Sequence, residues 1–505
     1  MTKIQLKVGA VLNYIVIILN IIVGLLYTPF MLRMMGQSEY GLYSLVASVI
    51  SYLTVLDLGL GNAIVRYTAK YRAEGKVKEQ YEMFGMFLIL YIGIGILAFL
   101  AGLILFFNIE NLFGKTMTID ELLRAKVMMI ILVLNLTFTF PLSIFGSIMT
   151  AYERFIFPKI INIARTILNT IIMIILLELG YKAIAMVSVL TFFNIITLLI
   201  NYIYCRKELN IQILFSKFNW CFLREVAFYS FWIFLGVIMD RVYWSTGQFV
   251  LGAISGTIAV SVYAVAIHLE STYLSFSSAI SSVFLPKVTG MVTLGNDKKE
   301  ISNLFIKTGR LQNIVLSFIL FGFITFGQLF VNLWAGKTYS EAYIMTTAFF
   351  IALYIPLIQS LGITILQARN EMKFRSILYL ILATFALIAE VICSKIWGGI
   401  GCAFAISGAL IIGQGLIMNI YYQKKQGIDI KKFWTEILKM NIGPFIVSII
   451  FFILYRYFNF TETWLSLGVL VLLYCLVYFP TCYIFSMNQY EKNLLIKPIL
   501  YKIIK

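Results

Sequence analysis

Charge is what this 505-residue sequence has least of: charged residues make up 12%, against 61% hydrophobic. A water-facing globule cannot hide that much apolar surface. Histidine occurs once, at His268, and a lone histidine makes a poor metal site. The six cysteines (Cys205, Cys221, Cys393, Cys402, Cys475, Cys482) contain no C-x-x-C pair, so free thiols are expected and neither a disulfide framework nor a zinc site is read. Long polar stretches are also missing. The longest loops lie around 205–222, 285–301 and 423–435, which leaves no room for a soluble catalytic or nucleotide-binding domain. Two GKT triplets, at 114–116 and 336–338, lack the glycine that a phosphate loop needs five residues earlier; Ile109 and Val331 stand there instead. A built-in ATPase is excluded on that ground.

What the sequence has is long apolar runs. Fourteen stretches, from 10–34 and 41–65 through 224–250 and 257–284 to 436–457 and 463–486, each reach the ~20 residues needed to cross a ~30 Å hydrocarbon layer. They are too long and too evenly apolar for barrel strands, so helices are expected: an all-α polytopic membrane protein. The first run has full transmembrane length and no A-x-A-like exit, so it is read as a span and not as a cleavable signal.

The net charge of +17 is distributed by loop. With the N-terminus inside, 30 of the 40 Lys and Arg fall on the cytoplasmic side and 8 on the other, Arg165 and Arg241 lying within spans. That bias orients the chain with both termini in the cytoplasm and removes the case for nucleic acid.

Sliding the chain against itself gives a match at an offset of 220, visible on the page as Gly36 over Gly256, Tyr43 over Tyr263, Gly75 over Gly295 and Lys78 over Lys298. The offset lays span 1 on span 7 and span 2 on span 8, as in a parallel repeat. The expected organisation is a six-helix lobe over 1–215, a second over 216–425, and two further spans with a cytoplasmic tail over 426–505. Spans 13 and 14 carry no mid-span charge and are expected to be a peripheral, lipid-facing pair.

Polar residues inside the spans cost ~2.5–3.5 kcal/mol per charge on insertion scales, so each asks for a reason. Asp240 and Arg241 sit together in GVIMDRVYW with Gly236, Trp244, Ser245, Gly247 and Gln248 at helical spacing. Span 8 carries a stripe of small and polar residues through His268, with Tyr263, Glu270, Tyr273, Ser277 and Ser281 on a neighbouring face. Span 5 contributes Asn162, Arg165, Thr166 and Asn169, and span 2 contributes Asp57 and Arg66. Packing is the plain alternative for the span 8 serines, and mutual neutralisation for Asp240 and Arg241. Asp57 opens the turn DLGLGN, where a hinge or cap role competes with ligand binding, and Glu390 reads as a structural partner. Arg165 has no acid within helical reach, so it meets one from another helix or faces a wet cavity. Arg66, Arg165 and Arg241 together suit an anion, and Arg fits phosphate through its planar donor fork.

The stretch TPFMLRMMGQSEYGLYSLVASVISYLTVLDLGLGNAIVRYTAKYRAEGK from Thr28, and DRVYWSTGQFVLGAISGTIAVSVYAVA from Asp240, resemble bacterial polysaccharide-export flippases, the O-antigen and capsule repeat-unit translocases of the multidrug/oligosaccharidyl-lipid/polysaccharide exporter superfamily. The resemblance implies two six-helix lobes around a central cavity plus two C-terminal helices. It also implies, as substrate, an oligosaccharide on undecaprenyl diphosphate in the bacterial cytoplasmic (inner) membrane. Lipid II flippases of the superfamily bear an Arg-Asp pair in the first helix, where this chain has Asn13, Asn20 and Thr28; the acid that multidrug exporters often carry there is absent too.

On this basis the expected function is alternating-access flipping, with no enzymatic chemistry and no cofactor. Arg66, Arg165, Arg241, His268, Tyr263 and Tyr273 contact the substrate, and Asp57, Asp240 and Glu270 serve coupling or gating through H+ or Na+. Expected partners are the lipid-linked oligosaccharide, membrane lipids, and a polysaccharide polymerase with chain-length proteins. The competing readings are a cation-coupled multidrug exporter of the same fold and a membrane enzyme of polysaccharide assembly.

Overall fold

The computed structural model describes residues 2–215, 220–293, 298–369, 371–458 and 460–495. Every regular element among them is helical. In chain order these are α1 (Thr2–Leu53), α2 (Leu60–Ala73), α3 (Val77–Phe113), α4 (Ile119–Ala151), α5 (Ile156–Glu178), α6 (Ala183–Lys207), α7 (Trp220–Thr293) and α8 (Lys298–Trp334). They continue as α9 (Ala342–Ile358), α10 (Leu361–Ala368), α11 (Lys373–Leu410), α12 (Met418–Tyr421), α13 (Ile430–Phe458), α14 (Trp464–Thr481) and α15 (Gln489–Leu495).

Ten apolar helical runs are long enough to cross a membrane, and three of them, Val11–Ala73 (63 residues), Phe234–Ser278 (45) and Lys373–Gln426 (54), are each double length. Each of those three breaks at a glycine: Gly36, Gly256 and Gly398. Ala342–Ile358 and Ser360–Ala368, bent by 43°, make one further span. Counting the double runs twice gives the fourteen crossings read from hydropathy, in a multi-pass membrane protein.

Gly36 (φ 77°, ψ 171°) and Gly256 (φ 80°, ψ −175°) adopt the same backbone conformation, one essentially confined to glycine. They are the pair that the 220-residue offset superposes. The paired position of Gly75, Gly295, lies outside the described residues.

The chain forms two compact units, Met1–Ala264 with Glu390–Gly399, and Val265–Ala389 with Ile400–Lys505. In the first, α3 packs on α4, α4 on α6, and α1 on α5. In the second, α8 is the hub. Phe326 and Leu329 of α8 join Val447 of α13 and Leu467, Leu470, Tyr474 and Tyr478 of α14 in one buried cluster.

Spans 13 and 14 are more than a lipid-facing pair. Their outer faces are apolar and exposed, Ile442, Ile446 and Ile453 among them, but their inner faces are tied to α8 by polar bonds. Arg310 donates to Glu491 at 2.6 and 2.9 Å and to Glu436 at 2.7 Å, Asn313 donates to Asn441 at 2.9 Å, and Ser317 meets Tyr478 at 3.0 Å. Hydropathy sees only the outer face of such a pair, because the inner contacts come from residues distant in sequence.

Two predictions follow from this packing. Alanine at Gly36, where the added Cβ meets open space, should cost the ~1–3 kcal/mol of the backbone conformation alone. At Gly256 it should cost more, because the Cβ would also lie 2.9 Å from the Thr116 carbonyl; thermal unfolding in detergent should rank the two. Glu491 is 1% exposed and Arg310 7%, so Glu491→Ala should lose ~3–5 kcal/mol by leaving a buried guanidinium short of its partner. The double variant Arg310→Met/Glu491→Leu should recover most of the lost midpoint.

Candidate functional site

In the first unit the second span breaks before it finishes. Residues 54–57 form a single 3-10 turn, and Leu58 (φ 53°) and Gly59 (φ 72°) then enter the left-handed region before α2 begins. Asp57 closes this turn. It accepts the Gly59 amide, as aspartates do two residues ahead in turns, and the Tyr91 hydroxyl of α3 at 2.9 Å. The hinge role that competed with ligand binding at Asp57 is therefore satisfied by local bonds.

The three arginines differ. Arg66 is exposed on α2, its guanidinium 5.7 Å from the Tyr67 ring centre, while Tyr67 donates to Glu225 at 3.0 Å. Arg241 is half-buried on α7 beside the exposed Asp240, and its buried Nε has no hydrogen-bond partner among the described residues. Arg165 lies nine residues into the 23-residue α5, about 14 Å along it at 1.5 Å per residue. It lines a cleft of about 440 Å³ with Asn20 and Tyr27 of α1 and Asn162, Thr166 and Asn169 of its own helix. No carboxylate pairs with it among the described residues. Of the two situations open to Arg165, the structure shows the cleft.

That cleft has a polar approach. Lys159, six residues before Arg165 on α5, donates to Asn13 of α1 at 2.6 Å. Asn13, Asn20 and Tyr27 recur every seven residues and so share one face of α1. Tyr27 donates to Met173 Sδ at 3.3 Å and Asn169 to the same sulfur at 3.6 Å, both weak bonds. The sequence reading took in Arg165 but left out Lys159, Asn162, Asn169 and Asn20 as site residues; the heptad spacing on α1 was the available sign.

The second unit holds the rest of span 8. His268 stacks on Trp334, ring centres 6.1 Å apart and planes within 10°. Tyr273 is buried, stacks on Phe350 at 4.3 Å and donates to the Leu316 carbonyl at 3.1 Å. Glu270 is 2% exposed, and its Oε1 has no hydrogen-bond partner among the described residues. Ser271, Ser275 and Ser278 bond to carbonyls one turn back, so they are satisfied within their own helix. In the first unit, Tyr263 is buried and faces Gly247 so closely that a Cβ there would lie 2.4 Å from its hydroxyl.

A family model described as polysaccharide biosynthesis protein matches residues 6–292, more than half of the chain. The chain belongs to this family. It is 20% identical over 413 residues to a putative O-antigen transporter of Shigella flexneri, covering 78% of this chain and 92% of that one. It is 22% identical over 461 residues to the uncharacterized membrane protein EpsK of Bacillus subtilis, covering 86% and 85%. Among solved structures, the lipid II flippase MurJ in an inward closed conformation superposes with a TM-score of 0.71 at 19% identity, covering 95% of this chain and 98% of that one. An inward-facing MATE multidrug transporter of the MOP superfamily gives 0.60 at 14%, covering 86% and 99%. These likenesses carry the fold: a helical transporter fold.

In this polysaccharide biosynthesis family member, the two glycine bends are held together by one carboxylate. Glu121, in the first turn of α4, belongs to a capping box with Thr118. Its Oε1 also accepts Ser38 Oγ at 2.5 Å and Thr257 Oγ1 at 2.8 Å, two residues past the first bend and one past the second. The α1 and α7 backbones touch here: a Cβ on Gly41 would sit 1.9 Å from the Thr257 carbonyl. Further along, Thr116 donates to the Gly252 carbonyl at 2.6 Å, Ser51 to Ser245 at 2.8 Å, and Tyr52 meets Thr246 at 2.6 Å. Beside them Arg124 pairs with Glu39 and Asp120. Glu121→Ala removes four hydrogen bonds to a charged acceptor, each worth ~1.5–3 kcal/mol, so amide hydrogen exchange over 252–260 should quicken at least tenfold; Glu121→Gln should fall between.

Proposed function

We propose that this protein is a flippase that moves undecaprenyl-diphosphate-linked oligosaccharide repeat units, of O-antigen or capsule type, from the cytoplasmic to the outer leaflet of a bacterial cytoplasmic membrane by alternating access. The observation that carries the proposal is Arg165: a half-buried guanidinium partway along a transmembrane helix, lining a polar cleft, with no carboxylate paired to it among the described residues. Arg stays protonated in any protein environment, so a site built this way is completed by an anion. A diphosphate is the anion a lipid-linked sugar brings. The Shigella relative's name and the polysaccharide family support a saccharide cargo.

Each residue has a place in this mechanism. Arg66, exposed on α2, gathers the diphosphate; Arg165 and Arg241 hold it at depth, where its charge would otherwise face hydrocarbon. Tyr263, Tyr273 and His268, all packed against neighbours, position the substrate face of span 8. Asp57, Asp240 and Glu270 take the coupling or gating role, with H+ or Na+ as the coupled species. The loop charge bias supports cytoplasmic termini. Membrane lipids and a polysaccharide polymerase with its chain-length proteins are the partners implied.

The test is transport in sealed liposomes, scoring how much fluorescent undecaprenyl-diphosphate oligosaccharide becomes accessible on the opposite leaflet. Wild type should exceed protein-free liposomes. Arg165→Ala and Arg241→Ala should each slow flipping about tenfold or more, the equivalent of one charge-assisted hydrogen bond, at unchanged insertion. Unchanged rates in both variants would overturn the roles given to the two arginines; no movement above protein-free liposomes, or export of organic cations in place of the lipid, would overturn the assignment in favour of the multidrug-exporter reading.

A further inference from the structure

Arg165 accounts for one group in its cleft and leaves the others unexplained. Asn20 and Asn162 are exposed, stand on apolar transmembrane helices, and have no hydrogen-bond partner among the described residues. An amide left facing hydrocarbon is costly. Two of them, on different helices, line the same cleft together with Asn169 and Thr166. Thr170 Oγ1 bonds back to the Thr166 carbonyl within α5, which does not use up the Thr166 hydroxyl. The polar positions 162, 165, 166 and 169 cover two turns of one face of α5, about 10 Å of helix. The amides of α1 extend the same surface.

The chemistry of that surface narrows its ligand. A simple anion only accepts hydrogen bonds, so it would use Arg165 and the amide N–H groups but leave each amide carbonyl unmatched. An organic cation would be repelled by Arg165 and would leave the N–H groups unmatched. Water, which both donates and accepts, satisfies such groups until a ligand with the same capacity displaces it. Sugar hydroxyls donate and accept at neighbouring positions on one ring, which is what paired amides and hydroxyls ask for. The cleft volume of about 440 Å³ lies within the ~300–1,000 Å³ of sites that enclose small ligands.

We propose that the α1–α5 cleft is a saccharide subsite, in which Asn20, Asn162 and Asn169 read sugar hydroxyls while Arg165 engages the adjoining phosphate. Lys159 and Asn13, bonded to each other at 2.6 Å on the same two helices, form its polar approach. The subsite rests on the flippase reading, and adds that sugar identity is read within the first unit by asparagines of two helices.

The purified full-length protein in detergent would be titrated with glycan-free undecaprenyl diphosphate, with undecaprenyl-diphosphate glucose, galactose and N-acetylglucosamine, and with lipid-linked oligosaccharide extracted from the source cells. Wild type should bind at least one glycosylated lipid more tightly than the glycan-free lipid. Asn20→Ala and Asn162→Ala, on separate helices and both at exposed positions, should each cut that preference about 2- to 13-fold, the range of a single hydrogen bond, and leave the glycan-free affinity unchanged. Arg165→Ala should weaken every diphosphate lipid alike. If wild type binds glycosylated and glycan-free lipids equally, or both asparagine variants keep the full preference with wild-type thermal unfolding, the subsite is wrong and the flippase reading stands. If wild type binds none of the diphosphate lipids, the flippase reading itself falls.

Discussion

Everything in this fold answers to one constraint: at membrane depth, a backbone N–H or C=O must find its hydrogen bond within the protein, because the surrounding hydrocarbon offers none. Long uninterrupted helices are the cheap solution, and the chain uses them wherever it can. Each departure therefore has to be supported by something. At Gly36 and Gly256, where a double-length run passes from one crossing to the next, the support is a residue type with no Cβ, together with the Glu121 carboxylate, whose Oε1 reaches Ser38 and Thr257 beside the two bends. At 54–59 it is Asp57, which caps the turn from inside and takes the Tyr91 hydroxyl. Breaks and polar side chains coincide because neither is affordable alone.

The same reasoning explains why the α1 and α7 segments lie so close. Close approach of two helices lets hydroxyls trade bonds across the gap, as Ser51 does with Ser245 and Tyr52 with Thr246. Small residues permit the approach and hydroxyls make use of it. Such a seam is held by several neutral bonds and one shared carboxylate, each modest by itself.

The fold was largely legible in the sequence because its main determinant, apolar length, is one-dimensional. Fourteen crossings follow from counting, and the offset of 220 led to the two equivalent glycine bends because a backbone that only glycine adopts leaves a glycine in both copies. The site was legible in part. Arg165 stood out as a charge with no acid within helical reach on its own helix. Asn162, Thr166 and Asn169 stood out beside it on span 5, but the α1 side of the cleft did not, since whether Asn20 or Ile18 faces α5 depends on how α1 is rotated, and rotation is settled by contacts between residues about 145 apart. Glu121 has a local role at a helix start, in the capping box with Thr118; that two of its bonds go to residues 83 and 136 positions away has no local trace. The inner face of spans 13 and 14 was hidden for the same reason.

Two arginines on apolar helices, Arg310 buried and Arg165 half-buried, show how structure separates architecture from function in such a chain. Composition cannot tell them apart. Arg310 is surrounded: Glu491 takes two of its donors, Glu436 a third, and the Ser486 carbonyl accepts another at 3.1 Å. Its charge is cancelled by the chain, and its work is to hold α13 and α15 to α8. Arg165 has an open cleft in front of it, amides beside it, and no carboxylate among the described residues. A charge that a protein could have cancelled by placing one acid opposite, as it did at Arg310, is left for something the chain does not contain. On the flippase reading proposed above, the lipid-linked diphosphate sugar would supply both the anion and the hydroxyls.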